Sequence, residues 1–162
     1  VADLLKLSRG DEEPQRSAVD MVELARQVCR TRGLPPEIVH AENGDNVWHV
    51  DQRRFSQVLG NLLDNADQHG GGATAVRLGS ADGVVYLEVD DEGPGVRTEE
   101  REVIFGRFVR GRPANARGGS DGTGLGLALV AQHVTVHGGR VYVTDRPGGG
   151  ARFRVELSRE QI

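Results

Sequence analysis

The sequence predicts an α+β fold: a two-layer sandwich with a mixed sheet, helices on one face of it, and a flexible lid. Three observations carry this reading. Stretches with apolar residues at i, i+3, i+4 and i+7 alternate with pairs of short strands. Glycine-rich turns separate them. One segment, 97–121, sustains no period of either kind, and inside a compact domain so long a stretch is a lid or a binding loop.

Residues 2–9 read as the last turns of a helix, stopped by Gly10 and Pro14, and 15–19 as a short strand. Helical spacing returns over 20–32 with Met21, Val22, Leu24, Ala25 and Val28, with Asp20 as N-cap and Gly33 as the stop. Strands near 37–42 and 46–50 are expected to pair across Asn43-Gly44-Asp45. The clearest helix is 51–69, where Phe55, Val58, Leu59, Leu62, Leu63 and Ala66 form one stripe, ended by Gly70-Gly71-Gly72. Strands follow at Ala75–Leu78 and Val84–Val89, joined by the Asp82-Gly83 turn. After 97–121, helix resumes at 123–137 and stops at Gly138-Gly139. Strands at 140–145 and 151–157 flank Pro147-Gly148-Gly149-Gly150. There is no internal repeat. The division expected is 1–13, the remnant of a preceding helical element and its linker, and 14–162, the folded domain.

Aromatics make up only 4% of the chain, so the core must be aliphatic. A net charge of −4 gives no reason to expect nucleic-acid binding. The single cysteine, Cys29, excludes an internal disulfide and suggests a reducing compartment. No apolar run approaches the roughly 18 residues needed to cross a bilayer. The chain starts at Val1 inside a helical pattern, which suggests a piece of a longer protein.

Four sets of residues carry chemistry. Asn61 and Asn65 lie four apart on the 51–69 helix and share a face, with Gln68 and His69 nearby. An amide carbonyl is a hard, neutral oxygen suited to Mg²⁺ beside phosphate oxygens and water. The alternative is that both Asn decorate a solvated face. Asp91 ends a strand. A carboxylate there accepts hydrogen bonds only and can recognise an amine such as that of adenine. Gly93 and Gly95 let backbone approach a base without a Cβ. Glu92-Gly93-Pro94-Gly95 is equally good turn chemistry. Phe105 and Phe108 stand in a polar stretch. The run Gly122-Thr123-Gly124-Leu125-Gly126 opens a helix, where free N–H groups and the helix dipole face a phosphate.

Competing motifs fail on spacing. A dinucleotide fingerprint needs G-x-G-x-x-G directly after a strand, and these glycines run G-x-G-x-G after a polar loop. No Gly-Lys-Ser/Thr of a Walker loop occurs. His133 and His137 have the i, i+4 spacing of a zinc pair, but Val134 stands where the metalloprotease pattern needs Glu, so they read as surface or packing residues. Arg107, Arg110, Arg112 and Arg117 are either solvated lid charges or phosphate ligands.

In this order, the motifs resemble the catalytic and ATP-binding domain of bacterial sensor histidine kinases, over roughly 15–157. The resemblance implies ATP and Mg²⁺ as cofactors. It puts Asn61 and Asn65 in the N box, with Asn65 at the metal position and Asp91 at the adenine position beside Gly93 and Gly95. It puts Phe105 and Phe108 in the phenylalanine box, and Gly122, Gly124 and Gly126 in the glycine box of an ATP lid. Gly148 and Gly150 resemble the final glycine box. Thr123 and Leu125 fall among the nucleotide-binding positions. Asn61 and Arg110 are the residues expected to act on the transferred group.

The family often has Lys then Tyr where this chain has Gln68 and His69, so a lid Arg would supply the charge while His69 could stack on adenine. Ala151 replaces a common Thr. The family's phosphoacceptor His precedes an acidic residue on a separate helical hairpin, and no His here does. The implied activity is transfer of the ATP γ-phosphate to a His on that separate hairpin, and then to an Asp of a response regulator. The implied setting is a cytoplasmic domain, monomeric alone, of a homodimeric, membrane-anchored sensor that binds no nucleic acid. Alternatives on the same fold are a gyrase-like ATPase clamp and an anti-sigma-type serine kinase. The clamp enzymes place a Glu base at the position of Asn61, and an amide cannot take that proton.

Overall fold

Asp20 and Asp51 set the starts of the first two helices. In a computed structural model describing residues 13–106 and 125–159, the Asp20 carboxylate accepts from Glu23 N at 3.1 Å, opening α1 (Met21–Thr31). Asp51 accepts from Arg54 N at 3.2 Å and opens α2 (Gln52–Gly70). Gly71, in the left-handed region at φ 75°, closes α2, as the glycine run predicts. The third helix, α3, is Gly126–Val136.

The strands are β1 (Ser17–Asp20), β2 (Val39–Ala41), β3 (Val47–Val50), β4 (Ala73–Ala81), β5 (Val84–Asp91), β6 (Arg140–Asp145) and β7 (Ala151–Ser158). Five form a sheet in the order β2-β4-β5-β7-β6. Only the β2–β4 pair is parallel, so the sheet is mixed as expected.

One expectation is corrected. β2 and β3 do not form a hairpin. β2 joins the five-stranded sheet beside β4, and β3 pairs antiparallel with β1 in a separate ribbon. Side chains of the expected turn are committed elsewhere. Asn43 Oδ1 accepts from both the amide and the hydroxyl of Ser80 at the end of β4. Asn46 takes a left-handed φ of 56° and sends its carbonyl to Met21 N at 3.0 Å. The alternating pattern of β3 then buries Trp48 and Val50 completely.

Period-2 alternation divides the sheet. Val85, Leu87 and Val89 of β5 and Phe153, Val155 and Leu157 of β7 are buried in one core with the apolar stripe of α2. The residues between them build an ionic lattice on the other face. Arg152 grips Asp90 with two bonds of 2.9 and 3.0 Å, Arg154 reaches Glu88 at 2.8 Å, and Tyr142 donates to Glu156 at 2.7 Å. The Arg154 guanidinium lies 4.3 Å over the Tyr86 ring. The lattice covers the second face with paired charge where the first is covered by helices.

Candidate nucleotide site

The last two turns of α2 and the end of β5 meet at glycine. A Cβ on Gly70 would overlap the Asp91 carboxylate, and one on Gly93 would overlap the Cα of Gly70. Gly150, at φ 104°, lies so close to the Asp91 carbonyl that it has no room for a side chain either. These three glycines let the helix end, the strand end and the loop before β7 close around one carboxylate. Gly70 was legible in the sequence only as a helix stop. Its second role depends on a contact with a residue twenty-one positions away, which no local pattern marks.

Asp91 is 1% exposed. Its Oδ1 accepts from Gly93 N at 3.0 Å and from Ala151 N at 3.2 Å. The backbone of Ala151 thus holds the carboxylate where the family's Thr is replaced. Gly95 adopts φ 79° in the turn that follows.

Asn61 and Asn65 share the face of α2 that leads to this cradle, as the i, i+4 spacing predicts. Asn61 is half-buried and donates through Nδ2 to the Gly126 carbonyl at 3.1 Å, while Asn65 is buried. On the last turns of α2, Gln68 is exposed and His69 partly so. At the base of 97–121, Ile104 is fully buried, and Phe105 stacks edge-on against Phe153 with centroids 6.1 Å apart. Arg101 ties this base down, donating to Val96 O at 3.1 Å and to Asp145 at 2.8 Å. Leu125 is buried beside Ala128 and Leu129, and Gly126 is the first residue of α3. Arg107, Phe108, Arg110, Arg112, Arg117, Gly122, Thr123 and Gly124 lie outside the described residues.

His133 and His137 pack between α2 and α3. His133 Nε2 meets Gln57 Oε1 at 2.8 Å and its Nδ1 meets Arg54 at 3.4 Å. His137 Nε2 accepts from Asp51 N at 3.1 Å, and its ring stands edge-on to Phe55. Burial, reinforced by the Arg54 and Arg53 charges, pushes the His133 ring down to about 4. Burial lowers His137 too. The pair forms part of no group of three metal-binding side chains among the described residues.

The family follows from a match over residues 50–161 to the model described as histidine kinase-, DNA gyrase B- and HSP90-like ATPase, and the chain belongs to that family. Within it, the chain is 39% identical to the sensor histidine kinase component HK1 of Mycobacterium tuberculosis (strain ATCC 25618 / H37Rv) over 83% of this chain and 78% of that protein. It is 38% identical to a probable sensor histidine kinase HK of Mycobacterium tuberculosis (strain CDC 1551 / Oshkosh), covering 95% of this chain and 41% of the relative. The chain thus spans less than half the length of that relative. It also superposes with a TM-score of 0.71 on full-length ShkA in complex with AMPPNP, at 31% identity, over 96% of this chain and 34% of ShkA. No described helix is long and apolar enough to cross a membrane.

Proposed function

We propose that this chain is the ATP-binding catalytic domain of a sensor histidine kinase. One observation carries the reading: Asp91 sits in a cradle of Gly70, Gly93 and Gly150 at the end of the helix that bears Asn61 and Asn65. A carboxylate held by two backbone N–H groups is an acceptor suited to the exocyclic amine of adenine. The glycines let the backbone close on the carboxylate where any Cβ would clash. The amide of Asn65, one turn past Asn61, supplies an oxygen of the class that Mg²⁺ prefers. Asn61 holds the start of α3, and as an amide it has no proton-accepting capacity for hydrolysis, which supports transfer over an ATPase clamp.

The acceptor in this reading is a His on a separate hairpin domain, from which the phosphoryl group passes to a response regulator Asp. The parent protein is a membrane-anchored homodimer with this domain in the cytoplasm. Arg110 supplies charge near the transferred group. Calorimetry with ATP, in the presence and absence of Mg²⁺, tests the binding part. Asn65→Ala is expected to lose the Mg²⁺-dependent gain, and a variant that keeps it removes the metal role. With labelled ATP, the domain alone should gain no stable label, while a separately supplied hairpin domain should become labelled on His.

A further inference from the structure

The loop before β7 is built from three consecutive glycines. Gly148, Gly149 and Gly150 all adopt positive φ, between 93° and 112°, and a Cβ on Gly149 would meet nothing. Among the described residues, the Arg146 side chain reaches the loop. Arg146 follows β6, and its Nε–H is shared between two carbonyls, Asp91 O at 3.1 Å and Gly149 O at 2.8 Å. Its Nη2 lies 3.4 Å from Glu92 Oε2. Its backbone closes the turn, with Arg146 N donating to Gly150 O at 3.0 Å and Gly149 N donating to Arg146 O at 2.9 Å.

The consequence falls on Asp91. The residue after this loop is Ala151, whose N–H is one of the two donors that orient the Asp91 carboxylate. Arg146 therefore ties the Asp91 peptide to the loop that runs into this donor, the first residue of β7. The backbone is fixed through the carbonyl, and the side chain through Ala151. Without the guanidinium, the two backbone bonds of the turn would be left to hold three glycines with wide conformational freedom, and the aim of the carboxylate would loosen.

We propose that Arg146 is a positioning residue for base recognition: it sets the orientation of Asp91 and thereby the preference for a purine bearing an amine at C6. The proposal rests on the reading of Asp91 as the adenine acceptor. It places no atom of Arg146 on the nucleotide.

The test compares ATP with inosine triphosphate, which carries the same triphosphate and a carbonyl in place of the amine. Phosphate and metal contacts cancel in the ratio of the two dissociation constants. The wild-type protein should prefer ATP, and Asp91→Asn, which places a donor opposite the inosine carbonyl, should abolish or reverse that preference. Arg146→Ala and Arg146→Gln should lower the ratio about tenfold through weaker ATP binding alone, with inosine triphosphate affinity held within about twofold. Arg146→Lys keeps the charge near Glu92 but not the shared planar donor, and should fall between. An unchanged ratio, or equal losses for both nucleotides, leaves Arg146 a structural residue and overturns the proposal. If Arg146→Ala fails to fold, the Lys variant reads the same ratio. A wild-type protein without ATP preference overturns the Asp91 reading itself, and that result appears in the wild-type arm before any variant is made.

Discussion

Asn61 Nδ2 donates to the carbonyl of Gly126 at 3.1 Å, joining the middle of α2 to the first residue of α3. The bond continues a polar seam that runs down the same helix pair through Gln57–His133, Arg54–His133 and Asp51–His137. The helix bearing the two asparagines and the helix that follows the glycine run are thereby held at a fixed spacing. Asn61→Ala should cost about 1 kcal/mol of stability, the usual net value of such a bond. It should lower transfer to a supplied hairpin domain far more than that loss explains. Denaturant unfolding beside a labelling assay separates the two. Equal transfer by the variant removes Asn61 from the chemistry.

Asp91→Asn is informative because Oδ1 is already committed. Two backbone N–H groups point at it, from Gly93 and Ala151. The Asn side chain must keep its oxygen there and place its NH₂ in the position of the second oxygen, so a donor replaces an acceptor. ATP binding should weaken by about 2 kcal/mol, roughly 30-fold, the range for a hydrogen bond to a charged group. The fold should be unaffected, since both backbone donors stay satisfied. Calorimetry and a melting curve on the same sample check both halves.

Much of this arrangement was legible in the sequence, for physical reasons. The stripe from Phe55 to Ala66 and the cap Asp20 are local signals, and local signals set α1 and α2. The order of the motifs placed Asn61, Asn65 and Asp91 correctly relative to their elements. What escaped depends on partners distant in the chain. Asn43-Gly44-Asp45 is good turn chemistry, yet the competing pairing of β3 with β1 and the Asn43–Ser80 bonds override it. Gly70 read as a stop because its crowding against Asp91 exists only in three dimensions. The ionic lattice behind the sheet escaped for the same reason. Glu88 and Asp90 lie more than sixty positions from Arg152 and Arg154, and only the β5–β7 register sets them opposite one another.

Gly150 and Gly126 both belong to glycine motifs, but the structure separates their roles. Gly150 combines a positive φ with a backbone carbonyl where its Cβ would go. Gly126 has open space at that point. Gly150→Ala should cost about 2–4 kcal/mol and disturb Asp91 directly. Gly126→Ala should leave stability unchanged or raise it by less than about 1 kcal/mol, since alanine is the better helix former. Thermal melts of the two variants side by side decide this. Equal destabilisation would contradict the cradle.

The buried histidines make stability depend on pH in a defined direction. His133 titrates at about 4 in the folded chain, against 6.5 for an ordinary imidazole. Between these values the unfolded chain binds a proton that the folded chain excludes, so stability rises with pH across the window. It is fully present above 6.5 and is lost as pH falls toward 4. The loss from His133 alone is about 3 kcal/mol. His137, also lowered by burial, adds to it in the same direction. Asp51, whose carboxyl is held below its usual 3.8 by the backbone N–H groups of Gln15 and Arg54 and by the Arg53 and Arg54 charges, acts in a lower window. Its contribution is present above 3.8 and is lost only as pH falls below that. Urea midpoints should therefore fall only slightly from pH 7.5 to 6 and clearly from pH 6 to 4.5. His133→Gln can keep a bond to Gln57 without a titrating ring, so its midpoints should fall much less over the same range. If wild type and variant show the same pH slope, His133 carries no such charge penalty in the fold.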